Sequence, residues 1–400
     1  MKPLLYSVLP RPPHPTRDGL AIRNYHLLRA LAERFRIRAF ALRDPERAYE
    51  GEFPSGVDAE LVTQSPRSAR RAGAALSSLL AGGAYSERLY RSGRLARRVA
   101  SLARREEPLW IVAHSYHVAP AALDADRPLW IDFHNLDSEI WERTAETASS
   151  ATVRSFARLQ APRVRNLERR LASAAAGVSC VSPRDAAGLA ALRTAARPLV
   201  VPNGVDLARY VSRSGDSGGE RVLFVGDLSW PPNAEAVRWF AREVWPRVAR
   251  QRPAARAEIL GRSAPRDLAR LASSRLTFAG DRPDTRPHWA AAAVAVVPLL
   301  AGGGTRLKIL EAAACGVPVV STPIGAEGLA FTPEAEIRLR EDAGGFADAV
   351  AQLLADPGVS RRQALAARVR VEALYDWSRI GAEFAQALAE APAGAAGSRR

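Results

Sequence analysis

The stretch from Ala290 to Leu329 constrains the fold of this chain more than any other. Its first part, Ala290 to Leu300, is an apolar run short enough for a buried strand, and three glycines, Gly302, Gly303 and Gly304, follow at once. Thr305 to Ala314 then carries apolar residues at helical spacing and is stopped by Gly316 and Pro318. Val317 to Ser321 reads as the next strand. Strand, glycine turn, helix and strand make a βαβ unit, which sets a helix N-terminus at the C-terminal edge of a parallel sheet. Backbone N–H groups there lack intrahelical partners, and glycine lets a ligand come close, so the geometry suits a phosphate. Arg306 and Lys308 add positive charge in the first turn, where the helix dipole alone favours acids. Cations set against the dipole make sense beside a bound anion. The plainer alternative is a surface turn with solvated cations.

Four hundred residues, 47% hydrophobic and 25% charged, describe a globular chain whose length favours two domains. The longest candidate for a membrane span, Trp289 to Ala301, contains Pro298 and ends in glycine, so it reads as a core strand. The opening "MKPLLYSVLP" lacks the long apolar region of a signal peptide and reads as a first strand. Cys180 and Cys315 both sit among apolar residues, which points to two buried thiols and a cytoplasmic location. The net charge of +15 is uneven: residues 1–205 hold 31 basic against 20 acidic side chains, and the remainder 26 against 22. Between Arg67 and Arg105 there are ten arginines and one acid, Glu87. Such a stretch suits an anionic membrane surface, on the inner face of which the chain would be peripheral. The competing explanation is an arginine-rich composition with solvated helix faces. No recognition motif or interleaved aromatics argue for nucleic acid.

The first half opens with strand Leu4 to Leu9, a proline-rich loop to Pro15, Gly19, a helix carrying Ile22, Leu27, Leu28 and Leu31, and strand Ile37 to Leu42. Two short runs, Leu109 to Ala113 and Leu129 to Phe133, each end in a histidine, His114 and His134, as parallel strands delivering polar groups to one sheet edge would. Strands at "GVSCVS" and Leu199 to Val201 follow, then the turn "PNGVD". The polar, glycine-rich segment Ser212 to Glu220 reads as a linker. A second series begins with strand Val222 to Val225 and Gly226, the helix Ala234 to Val248, strand Ala257 to Leu260 with Gly261, and strand Leu276 to Ala279 with Gly280. Two doubly wound α/β domains are implied, with ligands at the carboxyl ends of the strands. A helix carrying Trp377, Ile380 and Phe384 precedes a tail, "PAGAAGSRR", that has nothing to bury and reads as disordered.

At these residues the chain resembles retaining glycosyltransferases of the GT-B fold, family 4 type. "VPNGVD", "VLFVGDLSWPPNAEAVRWFAREVWPRV", "VVPLLAGGGTRLKILEAAACGVPVVSTPIGAEGL" and the late "YDW" helix occur in that family's order, and "IDFHNLDSEIWER" matches more loosely. The resemblance implies two Rossmann-like domains facing a cleft, an acceptor-side domain over residues 1–205, a nucleotide-sugar domain over 206–375, and a crossover helix and tail over 376–400. It implies transfer of a sugar from a nucleotide-sugar to a glycan or lipid-linked acceptor with retention and without a metal, the nucleotide-sugar being a co-substrate rather than a cofactor. Glu311 would accept the ribose hydroxyls, one on each carboxylate oxygen. Gly303, Gly304 and Thr305 would offer backbone donors, and Arg306 and Lys308 would face the leaving diphosphate. His134 would contact the donor sugar at the reaction centre, and Gly19 would let backbone approach the diphosphate, with Arg23 one turn inward. Gly261 and Phe278 to Gly280 would flank the nucleotide base.

The chain departs from the pattern in two places. Many members carry a second glutamate eight positions before the ribose-binding one, and here that position is Gly303. Others place an arginine after the glycine of the first strand of this domain and a lysine further on; here Asp227 follows Gly226, and no basic residue occurs through Asn233. Arg306 and Lys308 are expected to replace that charge. His114 and His117, three apart, lack the rest of a metal site, and Asp124-Ala125-Asp126 only looks like the aspartate pair of metal-dependent transferases on another fold. No carboxylate is placed as a nucleophile for a two-step route. The alternatives are a nucleotide-sugar 2-epimerase of similar fold and a non-catalytic nucleotide-sugar-binding homologue.

Overall fold

The apolar runs of each half become the strands of a parallel sheet. The computed structural model describes residues 2–14, 16, 18–46, 52–148, 150–192, 197–212, 219–302 and 304–392. It divides into unit 1, Met1–Pro202 with Ser378–Arg400, and unit 2, Asn203–Trp377. Gly303, most of the expected linker and the tail after Pro392 lie outside the described residues.

Unit 1 runs β1 (Leu4–Leu9), α1 (Gly19–Arg34), β2 (Arg36–Arg43), β3 (Val57–Thr63), α2 (Arg67–Ala81), α3 (Tyr85–Tyr90), α4 (Gly93–Glu106), β4 (Trp110–Ala113), β5 (Leu129–Phe133), α5 (Asp137–Thr147), α6 (Ala151–Ala174), β6 (Gly177–Cys180), α7 (Pro183–Ala191) and β7 (Leu199–Val200). The strands are parallel in the order β3-β2-β1-β4-β5-β6-β7. β4 and β5 are buried along their whole length, as central strands covered on both faces must be. The order reverses between β1 and β4, so the loops after these two strands leave toward opposite faces and open a crevice. β3 and α2 escape the sequence reading because their apolar residues are sparse or face outward.

Unit 2 runs β8 (Arg221–Val225), α8 (Pro231–Trp239), α9 (Trp245–Gln251), β9 (Arg256–Leu260), α10 (Arg266–Ala269), β10 (Leu276–Gly280), α11 (Arg286–Ala291), β11 (Val294–Val297), α12 (Leu307–Ala314), β12 (Val319–Ser321), β13 (Arg338–Leu339), α13 (Ala343–Ala355) and α14 (Pro357–Leu374). The order β10-β9-β8-β11-β12-β13 reverses between β8 and β11. Two expectations are corrected. The run from Ala290 is not one strand: Ala290 and Ala291 end α11, whose Trp289 is buried, and only Val294–Val297 is β11. The helix expected from Ala234 is α8 and α9 joined by a wider π turn, Phe240–Val244, ahead of Pro246, whose missing N–H cannot continue the regular ladder.

The last helix, α15 (Trp377–Glu390), is assigned from Ser378 to unit 1. A Cβ on Gly381 would sit 2.4 Å from Ala30 Cβ, so glycine is what lets α15 lie against α1. Trp110 Nε1 donates to Leu388 O at 2.9 Å, and Phe384 meets the Trp130 ring edge-on. The break between units falls at Pro202, ahead of the expected linker, because Val205 exchanges backbone hydrogen bonds with Tyr375 and Trp377. Both cysteines are buried.

Candidate functional site

In unit 2 the residues gather at the ends of β8 and β11, where the strand order reverses. The chain leaves β11 through Pro298 and turns on Gly302 and Gly304, whose φ values of 118° and 81° are costly for any residue with a Cβ. A side chain on Gly302 would also meet the Trp230 ring at 2.9 Å. The expected helix starts later than Thr305: Arg306 is its N-cap residue in extended conformation, and α12 begins at Leu307. Thr305 Oγ1 is buried and has no hydrogen-bond partner among the described residues. A buried hydroxyl of this kind calls for a partner such as a water or a ligand.

The two cations take different positions. Arg306 is buried and lies over the Trp230 ring, 5.4 Å from its centre. Lys308, in the first turn of α12, runs toward β8: its Nζ donates to Asn233 Oδ1 at 3.0 Å and lies 4.2 Å from the centre of the Phe224 ring. A Cβ on Gly226 would be 2.7 Å from that ammonium. Burial and the neighbouring Arg306 push Lys308 down to about 7, against the pull of Glu311. The side chain of Lys308 therefore stands next to Gly226. The residue that does follow, Asp227, is held by Arg262, whose Nε and Nη2 donate to it at 2.8 and 2.6 Å.

Glu311 lies one turn beyond Lys308, so both reach the same side of α12. Trp289 Nε1 donates to Glu311 Oε2 at 3.2 Å, and Tyr210 is also in contact with the carboxylate. Burial raises the Glu311 carboxyl, while these two donors oppose the rise. Gly261 is a backbone contact: its Cβ would fall 1.9 Å from Gly226 O, so the ends of β8 and β9 are pinched together. Gly280 ends β10 with φ 73° and accepts from Gly261 N at 3.0 Å. The Phe278 side chain packs onto the buried core of the unit.

In unit 1, Asp132 on β5 is wholly buried and organises the strand ends. Arg23 donates to it twice, through Nε at 2.8 Å and Nη2 at 2.7 Å, and Ser179 Oγ donates at 2.8 Å. Arg23, expected one turn inward from Gly19, also reaches Pro202 O at 3.2 Å and is 1% exposed, so it is a buried clamp on Asp132. His134 Nε2 lies 3.1 Å from Asp132 Oδ2. Burial opposes Asp132's ionisation, and Arg23 outweighs it; burial lowers the His134 pKa despite Asp132. Burial therefore favours the uncharged imidazole, set beside an ionised carboxylate. Gly19 is the first residue of α1, and the N-cap Asp18 accepts from Ala21 N and pairs with Arg11. That helix N-terminus already has its own carboxylate.

The other polar residues have separate partners. His114 Nε2 is 3.2 Å from Ser7 Oγ, and burial lowers its pKa to about 4. His117 sits between Ser115 Oγ (2.7 Å) and Asp137 Oδ2 (3.2 Å), so the two histidines do not converge. Among the described residues no group of three or more His, Cys, Asp or Glu is disposed around a common point. Trp230, Asn233, Arg262, Tyr210 and Trp289 are absent from the sequence-based site. Only Arg262 carried a signal, as the residue following a strand-end glycine.

Two family descriptions match in tandem: glycosyltransferase family 4 over residues 17–209 and glycosyl transferases group 1 over residues 219–356. The chain belongs to the GT-B glycosyltransferases. Glycogen synthase of Mycobacterium tuberculosis is 30% identical over 209 residues, which is 49% of each chain, so this chain spans about half the length of the curated relatives it matches. Sucrose-phosphate synthase of Thermosynechococcus elongatus superposes with a TM-score of 0.73 at 20% identity, over 96% of this glycosyltransferase and 98% of that chain. Anabaena HepE, solved with UDP and glucose, superposes at 0.67 with 18% identity, over 98% and 100%. At these identities the structural likeness concerns the fold. Among the described residues no helix is long and apolar enough to cross a membrane.

Proposed function

We propose that this glycosyltransferase moves a sugar from a nucleoside-diphosphate sugar to a hydroxyl of a glycan or lipid-linked acceptor, with retention and without a metal. The carrying observation is α12: Lys308 and Glu311 lie one turn apart on it, behind Gly302, Gly304 and the Thr305 hydroxyl, which has no partner among the described residues. A carboxylate suits the two vicinal ribose hydroxyls, and the ammonium with the α12 N-terminus suits the diphosphate. A uridine nucleotide is the first to try, since the HepE structure contains UDP.

In the reaction the bond from C1 to the diphosphate oxygen breaks, and the bond from the acceptor oxygen to C1 forms on the same face. The acceptor proton passes to the departing phosphate oxygen. Lys308 and Arg306 take up the growing charge on the diphosphate. His134, whose pKa burial lowers and whose ring lies beside Asp132, would hydrogen-bond the sugar as positive charge develops at C1. The basic stretch Arg67–Arg105 would hold the chain peripherally on an acidic membrane.

Incubation with UDP-sugars and no acceptor, followed by NMR, tests the reading. Slow release of UDP with a sugar that first appears in the donor's anomeric form, abolished in Glu311→Ala and in His134→Ala, is the expected result. Isomerised sugar still attached to the nucleotide would show a 2-epimerase instead, and an intact donor under all conditions would leave a binding protein.

A further inference from the structure

Beyond the carboxyl ends of β4 and β5, unit 1 holds one carboxylate in place that the proposed reaction leaves unused. Asp137 opens α5, three residues after His134. Its Oδ2 accepts from Tyr116 OH at 2.8 Å and lies 3.2 Å from His117 Nε2. The start of α5 is fixed from behind, where buried Glu168 accepts from Ser138 N at 3.2 Å and from Ser138 Oγ at 2.5 Å. His117 meets Ser115 Oγ at 2.7 Å, and the Tyr90 and Tyr116 rings lie 4.7 and 4.2 Å from its own. Ser115 has φ 150°, a costly value for a residue with a side chain, which persists only where the surroundings impose it.

Both contacts to the Asp137 carboxylate fall on Oδ2, and among the described residues no donor reaches Oδ1. The side chain is 22% exposed. Trp141 follows one turn later on the same side of α5, half-buried, with its ring edge-on to Phe156 at 5.7 Å. Tyr90 is half-buried as well. Burial opposes ionisation of Asp137, and His117 and Tyr116 outweigh it and hold the carboxyl below its usual range.

We propose that Asp137, Tyr90 and Trp141 form a subsite for a sugar ring of the acceptor, with a ring hydroxyl donating to Asp137 Oδ1 and a face of the pyranose lying on an aromatic ring. A pyranose carries hydroxyl donors at its edge and C–H groups on its faces, and a carboxylate oxygen beside flat apolar rings matches both. A neutral ring fits better than an ammonium, because His117 and His134 already act on this carboxylate. The inference rests on the transferase reading and deepens it: the acceptor presents a sugar, whether free or carried by a lipid. The donor's own sugar is the other source of such a ring.

The test is saturation-transfer NMR on the full chain with UDP present, using the methyl α- and β-pyranosides of glucose, galactose, mannose and N-acetylglucosamine. At least one should bind, with affinity at least about tenfold weaker in Asp137→Asn, as loss of a hydrogen bond to a charged group implies, and weaker also in Trp141→Leu. The ligand side needs no variant: one monodeoxy analogue of the bound glycoside should lose a similar factor on the parent chain. That analogue should then bind the parent and Asp137→Asn equally, which a merely structural role for Asp137 would not produce. No glycoside bound by the parent, or equal affinity of the bound glycoside in both variants, would overturn the subsite. Displacement of the glycoside when UDP-glucose or UDP-N-acetylglucosamine replaces UDP would give the pocket to the donor's sugar and overturn the acceptor assignment. UDP binding by the parent, read on the same samples, tests the donor reading separately.

Discussion

Lys308 gathers most of the unusual chemistry of unit 2 into one side chain. Its ammonium is half-buried against an aromatic ring and a single amide oxygen, and its pKa falls to about 7. Since the folded value lies below the unfolded one, the unfolded chain binds more protons between about pH 7 and the ordinary lysine value, and stability contributed by this group rises with pH there. A diphosphate beside Nζ favours the charged form, so nucleotide binding at pH 8 should take up a proton. Calorimetric titrations in buffers of different ionisation enthalpy would measure that uptake, and Lys308→Met should abolish it. Equal uptake in the variant would assign the proton elsewhere. The sequence made Lys308 and Glu311 legible through a helix after a glycine turn. It could not show that Arg23 would be spent on Asp132, because that partner lies 109 positions away.

Glycines divide the elements into those that shape the sheet and those that shape the site. Gly261 keeps β8 and β9 in contact, since its Cβ would overlap Gly226 O. Gly302 turns the chain through a left-handed conformation at the ligand edge. Gly261→Ala should therefore destabilise unit 2 by about 1–3 kcal/mol, seen as a lower urea midpoint. Gly302→Ala should chiefly weaken nucleotide binding. Reversed effects would mean that the two roles are exchanged. Strand positions were read well where apolar runs were short and bounded by glycine or histidine, as in β1, β4 and β5. The run from Ala290 misled because alanine suits a helix end as readily as a buried strand, and only Val294–Val297 has the branched side chains that settle the matter.

At the scale of the whole molecule, the chain order and the structural units disagree at the end: α15 follows unit 2 in sequence and is grouped with unit 1. Its Phe384 and Leu388 cover Trp130 and Trp110, so deletion from Ser378 onward should speed hydrogen exchange in β4 and β5 while leaving β8 and β11 as slow as before. Uniform acceleration in both sheets would contradict that division. The tandem family matches follow the same two halves, and the proposed nucleotide grip lies in the second. The most direct measurement of that claim is a calorimetric titration of UDP into the parent chain and into Glu311→Ala. The account predicts one site per chain and affinity at least about tenfold weaker in the variant, as loss of a hydrogen-bonding carboxylate implies. Equal affinity in both proteins, or no binding of UDP or any other nucleoside diphosphate by the parent, would contradict it.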